Sequence, residues 1–135
     1  MIIQHLSPDH KSFMAELLEK HSGHAFHVSA ITVKELHVGL GYTRFKQGVH
    51  AYNKKKHAMV SILDDFHVIE VSKEVLIHSG LREGELQAKG TPVDIEDIII
   101  GVTAELLGAT AIITRNPRHY AGFSIPVEAY AVSST

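Results

Sequence analysis

Asp94-Ile95-Glu96-Asp97-Ile98-Ile99-Ile100-Gly101-Val102-Thr103-Ala104-Glu105-Leu106-Leu107-Gly108-Ala109-Thr110-Ala111-Ile112-Ile113-Thr114-Arg115-Asn116 joins two patterns within a chain of 135 residues. Ile95, Ile98, Ile99, Val102 and Leu106 recur at the three- and four-residue spacing of a buried helix, which Asp94 is placed to cap and Gly108 to end. Ala109 to Ile113 then reads as a strand buried on both faces, as parallel strands covered by helices are. In an open parallel sheet, strand ends and neighbouring helix starts meet at one edge, where ligands bind. Asp97 in the helix's first turn and Thr114-Arg115-Asn116 at the strand's end therefore mark a candidate site.

The rest of the chain alternates in the same way. Ser7-Pro8 opens a helix with Phe13, Met14, Leu17 and Leu18 on one face, ending near Ser22-Gly23. Ala25 to Ala30 is a short strand that passes into a second helix, predicted to stop near Gly39-Leu40-Gly41. A third helix spans Gln47 to Leu63, with Lys46, His50, Asn53, Lys54 and His57 forming a basic stripe and Val49, Tyr52, Met59 and Leu63 an apolar one. Phe66 to Val71 is a strand, and Ser72 caps a helix to about Ala88, on which Gly80 and Gly84 would let another helix approach closely. A last strand falls within Ile125 to Ala131. Strands alternating with helices imply an α/β fold with a mainly parallel sheet covered on both faces, in one domain over residues 1–135.

A hydrophobic content of 44% supports a core without staples, and the absence of cysteine excludes disulfides and thiolate zinc sites. The chain has no apolar run long enough to span a membrane and no signal peptide, so a soluble cytoplasmic protein is expected. The formal net charge of −2 argues against a strongly basic nucleic-acid binder, while 11 histidines make the surface more phosphate-friendly as acidity rises.

Glu35 follows Thr32 by three residues, as in a capping box, and Asp97 follows Asp94 by three, where the helix dipole favours an acid in any case. If both acids face one cleft at the sheet edge, a hard divalent cation such as Mg²⁺ or Mn²⁺ is the natural occupant, and such ions promote phosphodiester hydrolysis. Zinc hydrolysis through histidines is weaker, because His5, His10, His21, His24 and His27 show no helical pairing. Thr114 and Asn116 can orient a carboxylate or water and Arg115 can pair with phosphate, although Asn116 before Pro117 is also ordinary turn chemistry. His119 is a possible ligand or phosphate contact. Lys54, Lys55 and Lys56 span too wide an arc to face one ligand together.

The order Ile31-Thr32-Val33-Lys34-Glu35-Leu36 with Gly39, then Gly90-Thr91-Pro92-Val93 into Asp97-Ile98-Ile99-Ile100-Gly101, then Gly108-Ala109-Thr110 into Thr114-Arg115-Asn116 and His119-Tyr120 resembles the PIN-domain family, most of all its VapC-like toxins. The resemblance implies a three-layer α/β/α sandwich and a Mg²⁺- or Mn²⁺-dependent endoribonuclease, a homodimer held inactive by a cognate antitoxin. Glu35 and Asp97 match two of the family's metal-binding acids. The acid after the last core strand corresponds to Asn116 or His119, neither a carboxylate. The resemblance also places the family's first strand and its aspartate before Met1, which would leave a gap in the sheet. The natural chain would then begin upstream, or Met1 to Leu6 or another subunit would complete the sheet. On this reading Glu35 and Asp97 hold metal or position water, Thr114, Asp94 and Asn116 support the site, and Arg115, Lys34, His50, Lys54 and His57 contact RNA. The alternative is a catalytically silent PIN-like module that binds RNA or protein.

Overall fold

The computed structural model of the protein describes residues 2–3, 16, 19–92 and 94–129. Five short strands form one sheet: β1 (Ile2–Ile3), β2 (His27–Ser29), β3 (His67–Ile69), β4 (Ile112–Thr114) and β5 (Val127–Ala129). Their order is β3-β2-β1-β4-β5, and every neighbouring pair is parallel. The helices are α1 (Ala30–Gln47), α2 (Val49–Leu63), α3 (Lys73–Ala88) and α4 (Ile95–Leu107), with a 3-10 turn at Pro117–Tyr120. The α/β class and parallel sheet are as expected.

The N-terminus corrects the sequence alignment. Ile2–Ile3 is the central strand, pairing Ile2 with His27 on one side and with Ile112 on the other. No strand is missing between β2 and β4, because the backbone groups of Ile2–Ile3 supply the pairing that two buried strand edges require. In the sequence, Gln4 follows this strand. The helix expected over Ser7 to Ser22 lies largely outside the described residues; Glu16, Glu19 and Lys20 are helical. Its end is tied to β5 by Lys20 Nζ, 2.7 Å from Glu128 Oε1, and by His21 Nε2, 3.2 Å from Glu128 Oε2. The lysine bond, chiefly, holds the Glu128 carboxyl below its ordinary value.

Two other differences concern α1 and α2. The first continues through Gly39 and Gly41 to Gln47. Packing along the α1–α2 hairpin outweighs the helix-weakening effect of two glycines. The break comes at Gly48, whose φ of +95° is open to glycine and costly for other residues. On α2 the buried positions are Met59 and Ile62, while Val49 is exposed. The glycines Gly80 and Gly84 face open space, so no helix among the described residues uses that approach.

Helix α4 is the hub of the core. Ile98, Ile99 and Val102 pack with Val75 of α3, while Ile100 and Ala104 pack with Ile112 of β4 and with Tyr120. Asp94 caps its start, with Oδ1 accepting from Asp97 N at 3.1 Å, and Gly108 ends it. Ala109 still closes the helix by donating to Ala104 O, which is why β4 begins at Ile112 rather than Ala109. The ring of Phe123 lies directly over Gly101, where an added Cβ would come within 2.4 Å of it. The Arg82 guanidinium covers that ring at 4.7 Å. Gly101→Ala is therefore expected to push the ring outward and lower stability by about 1–3 kcal/mol, read as a fall in the midpoint of thermal unfolding; an unchanged midpoint would contradict this packing.

Candidate active site at the helix starts

Asp97 occupies the third position of α4 and is 5% exposed. A carboxylate this deep needs partners. The Tyr120 hydroxyl donates to its Oδ1 at 2.9 Å, and His119 Nδ1 lies 2.7 Å from its Oδ2. Both partners come from the 3-10 turn that follows β4, so the strand's exit carries them back over the start of α4. Burial raises the Asp97 pKa above its ordinary value and the Asp94 charge adds to this, while the Tyr120 and His119 contacts oppose it. Burial and the negative charge of Asp97 push the Tyr120 phenol up as well, so it stays protonated and remains a donor.

Glu35 reaches the same edge from α1, but as the sixth residue of that helix rather than in its first turn. The capping box expected from Thr32 and Glu35 is absent, because the helix starts earlier: Ser29 is the cap, accepting from Ile31 N at 3.2 Å. Thr32 is buried, and its hydroxyl has no hydrogen-bond partner among the described residues. The Glu35 pKa is raised by partial burial and then by the charges of Glu96, Asp94 and Asp97, against the pull of Lys34. Lys34 Nζ lies 3.5 Å from Glu96 Oε1 and bridges the starts of α1 and α4.

The remaining sequence candidates divide by position. Thr114 is buried at the end of β4, where its Oγ1 accepts from Asn116 N at 3.0 Å and shapes the turn. Arg115 and Asn116 are exposed beside it. His50, Lys54 and His57 are exposed on α2. His50 and Lys54 follow the hairpin turn at Gly48, beside the far end of α1. Glu35 is twelve residues from that end, about 18 Å along the helix axis. The stripe thus begins at the end of the α1–α2 hairpin far from the acids. Tyr120 and Glu96 were not singled out by sequence; the pattern of an aromatic after His119 was visible, but nothing local says that its hydroxyl reaches a residue 23 positions earlier.

Four carboxylates, Glu35, Asp94, Glu96 and Asp97, thus share one edge, and those of Glu35 and Asp97 are harder to ionise than usual. The donor set suits a hard divalent cation, since a positive ion relieves this repulsion and carboxylate oxygens are the ligands such ions prefer. Among the described residues, no three His, Cys, Asp or Glu side chains are already grouped to hold a metal ion. Because the Asp97 carboxyl binds a proton more readily in the folded protein than in the unfolded chain, its charge penalises folding above the raised folded pKa. That penalty fades as pH falls towards about 4, the unfolded value. Asp97→Asn keeps an acceptor for Tyr120 and removes the charge. Its stability relative to the unaltered protein is expected to be greatest at neutral pH and to decline on acidification, measured by urea unfolding across that range; a relative gain on acidification would contradict the sign.

A match to the PIN domain family spans residues 2–122. The fold is similar to that in the crystal structure of VapBC2 from Rickettsia felis bound to a DNA fragment from their promoter, at 20% identity and a TM-score of 0.72, covering 97% of this chain and 100% of the other. It is also similar to DNA-bound VapBC from Salmonella typhimurium, at 20% identity and a TM-score of 0.75, covering 96% and 98%. FitAcB from Neisseria gonorrhoeae gives 18% identity and a TM-score of 0.74, covering 94% and 96%. Comparison with the curated proteins gives no match. At these identities the solved structures speak for the fold, and the family match, reaching from the central strand β1 past the 3-10 turn, identifies the sequence: the chain belongs to the PIN domain family.

Proposed function

We propose that this PIN domain protein is a Mg²⁺- or Mn²⁺-dependent endoribonuclease and the toxin half of a toxin–antitoxin pair. The observation that carries the reading is the buried Asp97 carboxylate, fixed by Tyr120 and His119 at an edge crowded with Glu35, Asp94 and Glu96. Membership of the PIN family supports nuclease chemistry. The structural likeness to chains from VapBC and FitAcB complexes supports an antitoxin as partner, and a homodimer in the cytoplasm belongs to the same reading. No helix among the described residues is long and apolar enough to cross a membrane.

Asp97 and Glu35 would hold the cation. A divalent ion bound there supplies Lewis acidity and the activation of water for attack on a phosphodiester. Tyr120 fixes one Asp97 oxygen with a proton it does not lose, and Asp94 fixes the helix turn from which Asp97 projects. Thr114 sets the turn that carries Asn116, with His119 following on the 3-10 helix. Arg115 stands exposed beside that turn as a phosphate contact. Lys34 steadies the acidic edge through Glu96.

A second reading, a silent PIN module that binds RNA or protein, is favoured by Asn116 and His119, which stand where the resemblance expects an acid. Two outcomes separate the readings. Thermal unfolding followed during Mn²⁺ titration is expected to shift upward with concentration, by about 2.7 kcal/mol of stability at a hundredfold excess over Kd; no shift favours the silent module. Asp97→Asn is expected to lower Mn²⁺-stimulated cleavage of single-stranded RNA more than a hundredfold, and Tyr120→Phe by about 10–100-fold, as loss of a residue that orients a metal ligand does. Unchanged cleavage by Asp97→Asn would reject the assigned site.

A further inference from the structure

A cleft of about 790 Å³ that Asp97 helps to line lies between the second half of α3, the start of α4 and the 3-10 turn. Its acidic lining is Asp94 and Asp97 at the start of α4 and Glu85 on α3, and its apolar lining includes Leu86, Ile98 and Phe123. Lys89 and Arg118 also line it. Both are exposed, and neither side chain has an ion pair or hydrogen bond among the described residues. Arg82 also lines the cleft but is committed elsewhere: it pairs with Glu105 at 2.9 Å and covers Phe123, so it shapes the wall.

We propose that this cleft is the strand-binding site of the protein, holding one unpaired nucleotide beside the acidic edge, with Lys89 and Arg118 as its phosphate anchors. The proposal rests on the nuclease reading and adds where the strand lies and in what form. An acid pair alone repels a phosphodiester, so a polyanion can approach Asp97 only along a surface that offers uncommitted cations. Lys89 and Arg118 provide them in this cleft, with Arg115 exposed beside the same 3-10 turn, whereas Lys34 on the α1 side is bound to Glu96. The cleft falls within the roughly 300–1,000 Å³ typical of sites that enclose a small ligand. Its size and apolar lining suit one exposed base, and a base is available for such insertion only when it is unstacked and unpaired. His50, Lys54 and His57 do not line this cleft.

The test is binding without cleavage. A fluorescent 2′-O-methyl single-stranded oligonucleotide is titrated with the full chain in EDTA, and anisotropy is followed at several salt concentrations. Lys89→Ala with Arg118→Ala is expected to weaken binding about tenfold at low salt and to flatten the salt slope by about 1.4, two single-strand phosphate contacts at ~0.7 each. A duplex of the same sequence is expected to compete poorly, and a 5-iodouridine version should cross-link to peptides containing residues 86–98 or 118–123. Binding unaffected by the double substitution, an equal loss from Lys54→Glu, equal competition by duplex or cross-links confined to α2 would each overturn the proposal. Failure of the nuclease reading would appear elsewhere, as cleavage indifferent to Asp97→Asn with this binding intact.

Discussion

The structure around the candidate site depends on keeping a carboxylate buried. Asp97 is buried because α4 is apolar on nearly every side and packs into the core from Asp97 to Ala104, with Ile95 before it still exposed. Once there, the charge requires donors, and the 3-10 turn after β4 delivers two, the Tyr120 hydroxyl and the His119 ring. The same contact fixes where the chain goes between β4 and β5. Tyr120 is fully buried against Ile100, Ala104 and Ile112, so one side chain serves both the core and the carboxylate. Removing its hydroxyl would take a donor from a buried carboxylate, and hydrogen bonds to charged groups are worth more than the average one.

The surroundings of Asp97 divide into two electrostatic sides. Towards α1, Glu35 and Glu96 crowd the carboxylate, with Lys34 as a partial counterweight. Towards α3, the cleft presents the exposed Lys89 and Arg118 together with Glu85, and apolar side chains beside them. A site for phosphodiester chemistry needs both: concentrated negative charge to hold a cation, and separate positive charge to admit a polyanion.

Much of the scaffold was legible in the sequence because its signals are local. The Asp94 cap, the isoleucine spacing and Gly108 define α4, and Ser72 defines the start of α3. What was hidden depends on distant packing. Gly39 and Gly41 read as a stop, but α1 is held through them by α2 and breaks only at Gly48. Ile2–Ile3 is too short to announce a strand, and its place at the sheet's centre is set by β2 and β4 on either side. For the site, acids at helix starts were visible as types in a pattern, whereas the Tyr120 contact and the meeting of Arg118 with Lys89 of the α3 end in one cleft follow from the return of the chain after β4.

The central claim is that Asp97 and Glu35 form one edge of a divalent-cation site. Paramagnetic broadening by Mn²⁺ tests it most directly, since it reports where the ion sits whether or not the protein cleaves anything. Amide resonances of Glu35, Asp94 to Asp97 and His119 are expected to broaden first at substoichiometric Mn²⁺, and Asp97→Asn to abolish the effect. Broadening that spares these residues, or that persists unchanged in Asp97→Asn, would contradict the claim.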